Sequence, residues 1–365
     1  MGSSLQPFRP SAGEVASRQP NTTMIVLAVL PLVFTFLKAC TGAVLPQYPP
    51  LPPFIALEEH FTIAEIAVQN TATPPWIVQK LLDLDGLRLE EMDQGRVTKQ
   101  FLSIGAATVN LSQSQDANNV LAAAINKHPS RFGGWATIPI SDPAAAADEL
   151  TRSVKKLGFV GALINNHDQG KFYDNATYWP FFARAQELNV PIYLHPANPA
   201  REWASRFQGN YPQSIASSLG LSGWDWHQEV GFHILRLFNS GFFDEFPRIK
   251  IIIGHMGEML TFQLDRVIDV GETKRGWPAR QRDLRSVWNS NIWITTSGMF
   301  SLAPFACLLR QMPVDRILYS VDWPYSNNTQ GLEFMEKVRR SGLVTEEQFQ
   351  GIAYKNAQSV LQVQV

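Results

Sequence analysis

Four stretches of this chain bring imidazole and carboxylate groups to the ends of apolar runs. "FIALEEHFT" (54–62) closes on Glu58, Glu59 and His60, and "VPIYLHP" (190–196) on His195. "IIIGHMGE" (251–258) carries His255 and Glu258, and "RILYSVDWP" (316–324) carries Asp322. On a strand, Glu58 and His60 share one face, and Glu59 turns to the other, toward outer helices. Glu58, His60, His195 and Asp322 make an oxygen and nitrogen set suited to one divalent ion, zinc ahead of manganese or magnesium. Buried together without a cation, the two carboxylates would repel until one took up a proton. A second constellation is His255, Glu258 and Arg266. A glutamate beside a histidine orients the ring and raises its basicity. Arg266 lies two turns further along roughly the same helical face. Each residue alone has a plainer reading, as a solvated strand end, a satisfied core histidine, a turn aspartate or a helix-start glutamate. Only their convergence on one point outweighs those readings.

Convergence needs a scaffold. Short apolar runs occur at 54–60, 100–108, 132–140, 159–165, 190–196, 249–255, 291–298 and 316–323. Segments of helical character lie between them, at roughly 114–129, 142–157, 178–188, 226–241, 258–270, 301–312 and 328–340. The clearest begins at Asp142-Pro143, a cap followed by proline in the first turn. Continuous apolar strands separated by helices indicate a parallel sheet covered on both sides. Eight such units predict an α/β fold, a (β/α)8 TIM barrel, with a doubly wound open sheet as the alternative. Chemistry in such a barrel sits at the C-terminal strand ends, where Glu58, His60, Asn165, His195, His255 and Asp322 fall.

The composition fits a small-molecule enzyme. Of 365 residues, 31 are basic and 32 acidic, with no basic run and no glycine-rich phosphate loop, so nothing points to nucleic acid. Cys40 and Cys307 are too few for a disulfide framework and form no CxxC pair. Residues 1–53 differ from the rest: a polar segment, the uncharged "MIVLAVLPLVFTFL" from Met24, and a proline-rich linker. Those 14 uncharged residues, within a candidate targeting segment at 24–43, have the length of a signal-peptide core and are short for a membrane span of ~20 residues. They read as a secretory signal, a membrane anchor or an extension on an intracellular enzyme, and the compartment stays open. N-x-S/T triplets begin at Asn21, Asn110, Asn175 and Asn327. The division expected is 1–53 as extension and 54–365 as the catalytic barrel.

"ALEEHF", "FVGAL", "YLHPANP", "SGFFDEFPRIKIIIGHMGE" and "RILYSVDWPY" closely resemble the amidohydrolase-superfamily decarboxylases of aromatic acids. γ-Resorcylate (2,6-dihydroxybenzoate) decarboxylase is the nearest pattern. The likeness runs from about residue 54 to the end and is most specific across 229–259. It implies that Glu58, His60, His195 and Asp322 hold one divalent metal, with no organic cofactor. It implies catalytic roles for Asp322, His255 and Glu258, with Arg266, Tyr325 and Asn165 on the substrate side. Family enzymes are typically cytoplasmic and assemble as homodimers or homotetramers. The extension at 1–53, the short stretch between the first two strands, the loop "NHDQGKFYD" (166–174) and "SSLGLSGWDWHQE" depart from the pattern. Most of these departures border the pocket, so the acid itself is not carried over.

The implied reaction is loss of CO2 from an ortho-hydroxybenzoate of dihydroxybenzoate, orsellinate or 6-methylsalicylate type. Two rivals stand beside it. A hydrolase of an ester, lactone or amide would use the same barrel with Asp322 as base, and a non-catalytic binder would have lost ligands. All four ligand positions are intact.

Overall fold

A computed structural model describes residues 48–364, apart from 69–72 and 106. The apolar stretch at 24–37, Cys40 and the Asn21 triplet therefore lie outside the described residues. No helix among the described residues is long and apolar enough to cross a membrane.

Eight parallel strands form one sheet in sequential order. They are β1 (Phe54–Phe61), β2 (Val97–Ile104), β3 (Phe132–Ala136), β4 (Gly161–Asn165), β5 (Pro191–His195), β6 (Lys250–Ile253), β7 (Ile292–Thr295) and β8 (Ile317–Leu318). The sheet closes where Glu59 bridges to Trp323 and the His60 N–H donates to the Trp323 carbonyl at 2.8 Å. Most strand residues are apolar, the main exceptions being the polar residues of β1 and β2, and nearly all are buried, as a sheet covered by helices requires. Ile55, Leu57, Phe101, Trp135, Leu163, Tyr193, Ile252 and Leu318 meet in one cluster, joined by Ala357, Val360 and Leu361 near the C-terminus. The barrel is a packed core, and open space is left to its mouth.

All seven predicted helices are present, including Pro143–Leu157, where the Asp142 side chain accepts from the Ala145 N–H. Further helices at Pro75–Leu82, Gly86–Gln94, Gln213–Gly220, Leu284–Asn291 and beyond Glu346 were not anticipated. They are eight or nine residues or shorter, too short for a periodic pattern to stand out. The predicted helix at 258–270 begins later, at Leu260. His255, Met256, Gly257, Glu258 and Met259 all have positive φ, between 45° and 92°. A side chain on Gly257 would place its Cβ 2.0 Å from Thr261 Oγ1, so only glycine fits that turn.

β1 carries a register shift between Ala56 and Glu59. Such a bulge re-aims the strand. Leu57 joins the barrel interior below it, and Glu58 and His60 face the mouth above it.

Candidate active site at the barrel mouth

Glu58, His60 and His195 bring ligand atoms within 4.8 Å of one another, all three buried. His195 Nε2 stands 3.4 Å from Glu58 Oε1, and His60 Nε2 stands 3.3 Å from Asp322 Oδ1. Their partners aim them. His195 Nδ1 donates to the Pro196 carbonyl at 2.7 Å, leaving Nε2 with its lone pair turned to the centre. His60 Nδ1 faces Ser103 Oγ at 3.2 Å, and the Tyr193 hydroxyl donates to Glu58 Oε2. Glu58 Oε1 and His60 Nε2 are buried with no hydrogen-bond partner among the described residues. Orphaned polar atoms in a core are costly, and two of them facing one point call for a cation there. Burial also lowers the pKa of His195 to about 3, so its ring is neutral as a metal ligand must be. The donor set therefore fits a divalent ion of the zinc or manganese type.

Asp322 reaches this point from an unusual backbone. It lies just past β8 with φ of 70°. Residues there are held by Glu59, which is fully buried. Its carboxylate accepts from Ser320 Oγ at 3.0 Å, Val321 N at 2.9 Å, Trp323 N at 3.0 Å and Gln100 Nε2 at 3.2 Å. Glu59 was expected to pair among the outer helices. Instead it clamps the segment that presents Asp322, because the barrel closes on that strand end. The Ser320 hydroxyl in turn accepts from the backbone N–H groups of Leu57 and Glu58.

His255 stands beside the same point, Nε2 at 3.7 Å from Asp322 Oδ2 and 3.9 Å from Glu58 Oε1. Its Nδ1 donates to Glu258 Oε1 at 2.8 Å. Burial works against a charged His255, but the Glu258 and Glu58 carboxylates outweigh it and hold its pKa well above the ordinary value. Asp322 shows the reverse balance: burial would raise it, yet His255 and His60 bring it down to about 2. Both shifts favour the proton on His255 over Asp322.

Arg266 does not complete this network. Its side chain is exposed on the helix Leu260–Ile268 and makes no described contact with Glu258. The eight-residue spacing would share a face only on a continuous helix, and the left-handed run through Met259 breaks that phase. The position is taken by His227, from the helix Asp225–Ser240, whose Nδ1 donates to Glu258 Oε2 at 2.7 Å.

The cluster borders a cavity of about 700 Å³, lined among others by Phe61, Ile104, Asn165, His167, Pro199 and Tyr325. Tyr325 is half exposed, with its ring edge-on to His60 at 5.9 Å. Asn165 Nδ2 donates to the Ala107 carbonyl at 2.8 Å, which braces the wall beside β5. A cavity of this size accommodates a substituted benzene ring.

The amidohydrolase family model matches residues 85–363, and the chain belongs to that family. It is 46% identical over 323 residues to the decarboxylase orsB of Emericella nidulans, covering 86% of this chain and 98% of that protein. A crystal structure of 2,6-dihydroxybenzoate decarboxylase with 2,6-dihydroxybenzoate superposes with a TM-score of 0.78 at 33% identity, over 86% of this chain and 100% of the other. A dihydroxybenzoic acid decarboxylase from Polaromonas sp., solved with manganese and the inhibitor 2-nitroresorcinol, gives a TM-score of 0.77 at 34% identity, over 86% and 97%.

Proposed function

We propose that this chain is a metal-dependent, non-oxidative decarboxylase that converts an ortho-hydroxybenzoic acid to CO2 and a phenol. The observation that carries the reading is the buried meeting of Glu58, His60 and His195, with Asp322 3.3 Å from His60 and two atoms unpartnered, beside a cavity large enough for a substituted aromatic ring. The decarboxylases it resembles supply the reaction class.

Glu58, His60, His195 and Asp322 would hold one divalent ion, and a relative solved with manganese puts that metal beside zinc. Bound there, the ion would supply positive charge that orients the acid and draws electron density from its oxygens. The chemistry replaces a ring C–CO2 bond by a ring C–H bond, so one proton enters per turnover. The electrons of the broken bond return to the ring, and protonating the ring carbon first avoids a free carbanion. In this reading Asp322 delivers that proton and His255, 3.7 Å from it and kept basic by Glu258, holds it beforehand. Tyr325 at the rim would pack on the ring, and Asn165 would brace the opposite wall.

The test is CO2 release, followed by mass spectrometry, from a panel of ortho-hydroxybenzoates with metal-replete protein. One acid should turn over, and Asp322→Asn should lower the rate at least ~100-fold, the range expected for loss of a general acid. No release from any acid, with one ion bound per chain, would refute the reading and turn attention to esters and lactones.

A further inference from the structure

His167 has a place in the cavity that the reaction described so far does not use. Asn165 at the end of β4 pairs in register with His195 of β5, at the level of the ligand cluster. His167 follows two residues later and lines the cavity further out along the mouth. It is only 6% exposed. Its Nδ1 accepts the Gly170 N–H at 3.1 Å. A backbone N–H can only donate, so in the neutral ring the hydrogen sits on Nε2. Burial lowers the pKa of His167 and favours that neutral form. Nε2 has no acceptor among the described residues.

The ring is held rigidly. Asp168 and Lys171 exchange backbone hydrogen bonds of 3.0 and 2.9 Å across a tight turn. Gln169 and Gly170 occupy it with φ of 48° and 87°, as a two-residue hairpin loop demands. The Asp168 carboxylate accepts from Ser141 Oγ at 2.7 Å and from the Tyr178 hydroxyl at 3.0 Å. Trp203 and Phe172 pack edge-on against the imidazole at 5.1 and 5.9 Å. A fixed donor, nearly buried and lacking an acceptor, is what a recognition site presents before its ligand arrives.

We propose that His167 Nε2–H recognises a ring hydroxyl on the substrate edge away from the reacting carboxylate. The acid is then of the 2,4-dihydroxybenzoate type rather than one with a single ortho-hydroxyl. This inference rests on the decarboxylase reading and deepens it. His167 is a specificity residue, outside the bond-making steps.

The experiment compares kcat/KM for 2,4-dihydroxy-6-methylbenzoate and 2-hydroxy-6-methylbenzoate in wild-type protein, His167→Phe and His167→Gln. The two acids differ by one hydroxyl. The ratio of their kcat/KM values in wild-type protein includes intrinsic reactivity, so the quantity read is its change on substitution. Phenylalanine should shrink the ratio about 10- to 100-fold, as expected for one lost buried hydrogen bond, and chiefly through KM. Glutamine, whose amide can reach the Nε2 position, should restore part of it. An unchanged ratio in His167→Phe would overturn the proposal, as would an equal loss for both acids, which marks a structural role. If wild-type protein decarboxylates other ortho-hydroxybenzoates but neither of this pair, the specificity inference fails alone. If it decarboxylates none, the decarboxylase reading fails with it.

Discussion

His227 and His255 share one carboxylate: Glu258 accepts the Nδ1–H of each, at 2.7 and 2.8 Å, on its two separate oxygens. His227 is itself fixed from behind, because Nε2 donates to the Ser222 carbonyl at 2.9 Å. The orientation of His255 toward Asp322 therefore depends on a residue from another helix. His227→Phe should lower kcat about 10- to 100-fold with KM within about twofold, since one charge-assisted hydrogen bond to a buried carboxylate is lost. His227→Asn, which can still donate to Glu258, should recover most of the rate. Steady-state kinetics on the three proteins decide it, and a raised KM at unchanged kcat would mean that His227 meets substrate instead.

The same carboxylate makes stability depend on acid. Burial would raise the pKa of Glu258, but the charges and hydrogen bonds of His255 and His227 bring it from 4.5 to about 2. A carboxylate depressed in the folded state stabilises above its unfolded pKa, and that contribution is lost as pH falls from 4.5 toward 2. The whole shift corresponds to at most about 3 kcal/mol. Urea unfolding of wild-type protein should weaken through this window more steeply than that of Glu258→Gln, which has no such proton to bind. Parallel curves for the two proteins would show that Glu258 is not held as described.

The meeting of Glu58, His60, His195 and Asp322 was legible because strand ends are: an apolar run that stops on histidine or aspartate is a one-dimensional signal, and the barrel brings the stops together. Tyr193 could have been found in the same way. It precedes His195 by two residues, on the same face of β5, and its hydroxyl holds Glu58. His227 could not. It sits on a helix far from any strand end, and only the left-handed turn at His255–Met259 brings Glu258 back to it. That turn also misled the reading of Arg266, since a helical phase was extended through residues that are not helical. Glu59 was misread because its outward face meets the closing strand end at Trp323 rather than a helix. Where the barrel seam falls is not written in a period of two.

Glu59 should be the most sensitive structural position in the site. Its four accepted hydrogen bonds leave no lone pair for another donor. Glu59→Gln would turn amide hydrogens toward the Val321 or Trp323 N–H, both donors. Each buried donor left facing a donor costs about 1–3 kcal/mol. The melting temperature should fall, and activity should fall beyond what unfolding explains, because Asp322 lies between the two clamped residues. A variant with wild-type stability would mean that the seam is held by β-bridging alone.

Metal removal offers the most direct test of the cluster, and it needs no substrate. If Glu58 Oε1 and His60 Nε2 are unpartnered because an ion joins them, the chelated protein should be less stable than the loaded one. A ligand that binds only the folded state stabilises by about 2.7 kcal/mol at one hundred times its dissociation constant. Adding manganese or zinc to chelated protein should therefore raise the melting temperature in a concentration-dependent way, with one ion per chain by elemental analysis. His195→Ala and Glu58→Gln should each abolish that response. Glu58→Gln should also raise the stability of the metal-free form relative to chelated wild type, because burial opposes the Glu58 charge most and Asp322 repels it as well, which together exceed the attraction of His255. A Glu58→Gln protein that keeps the full metal response would place the ion away from Glu58.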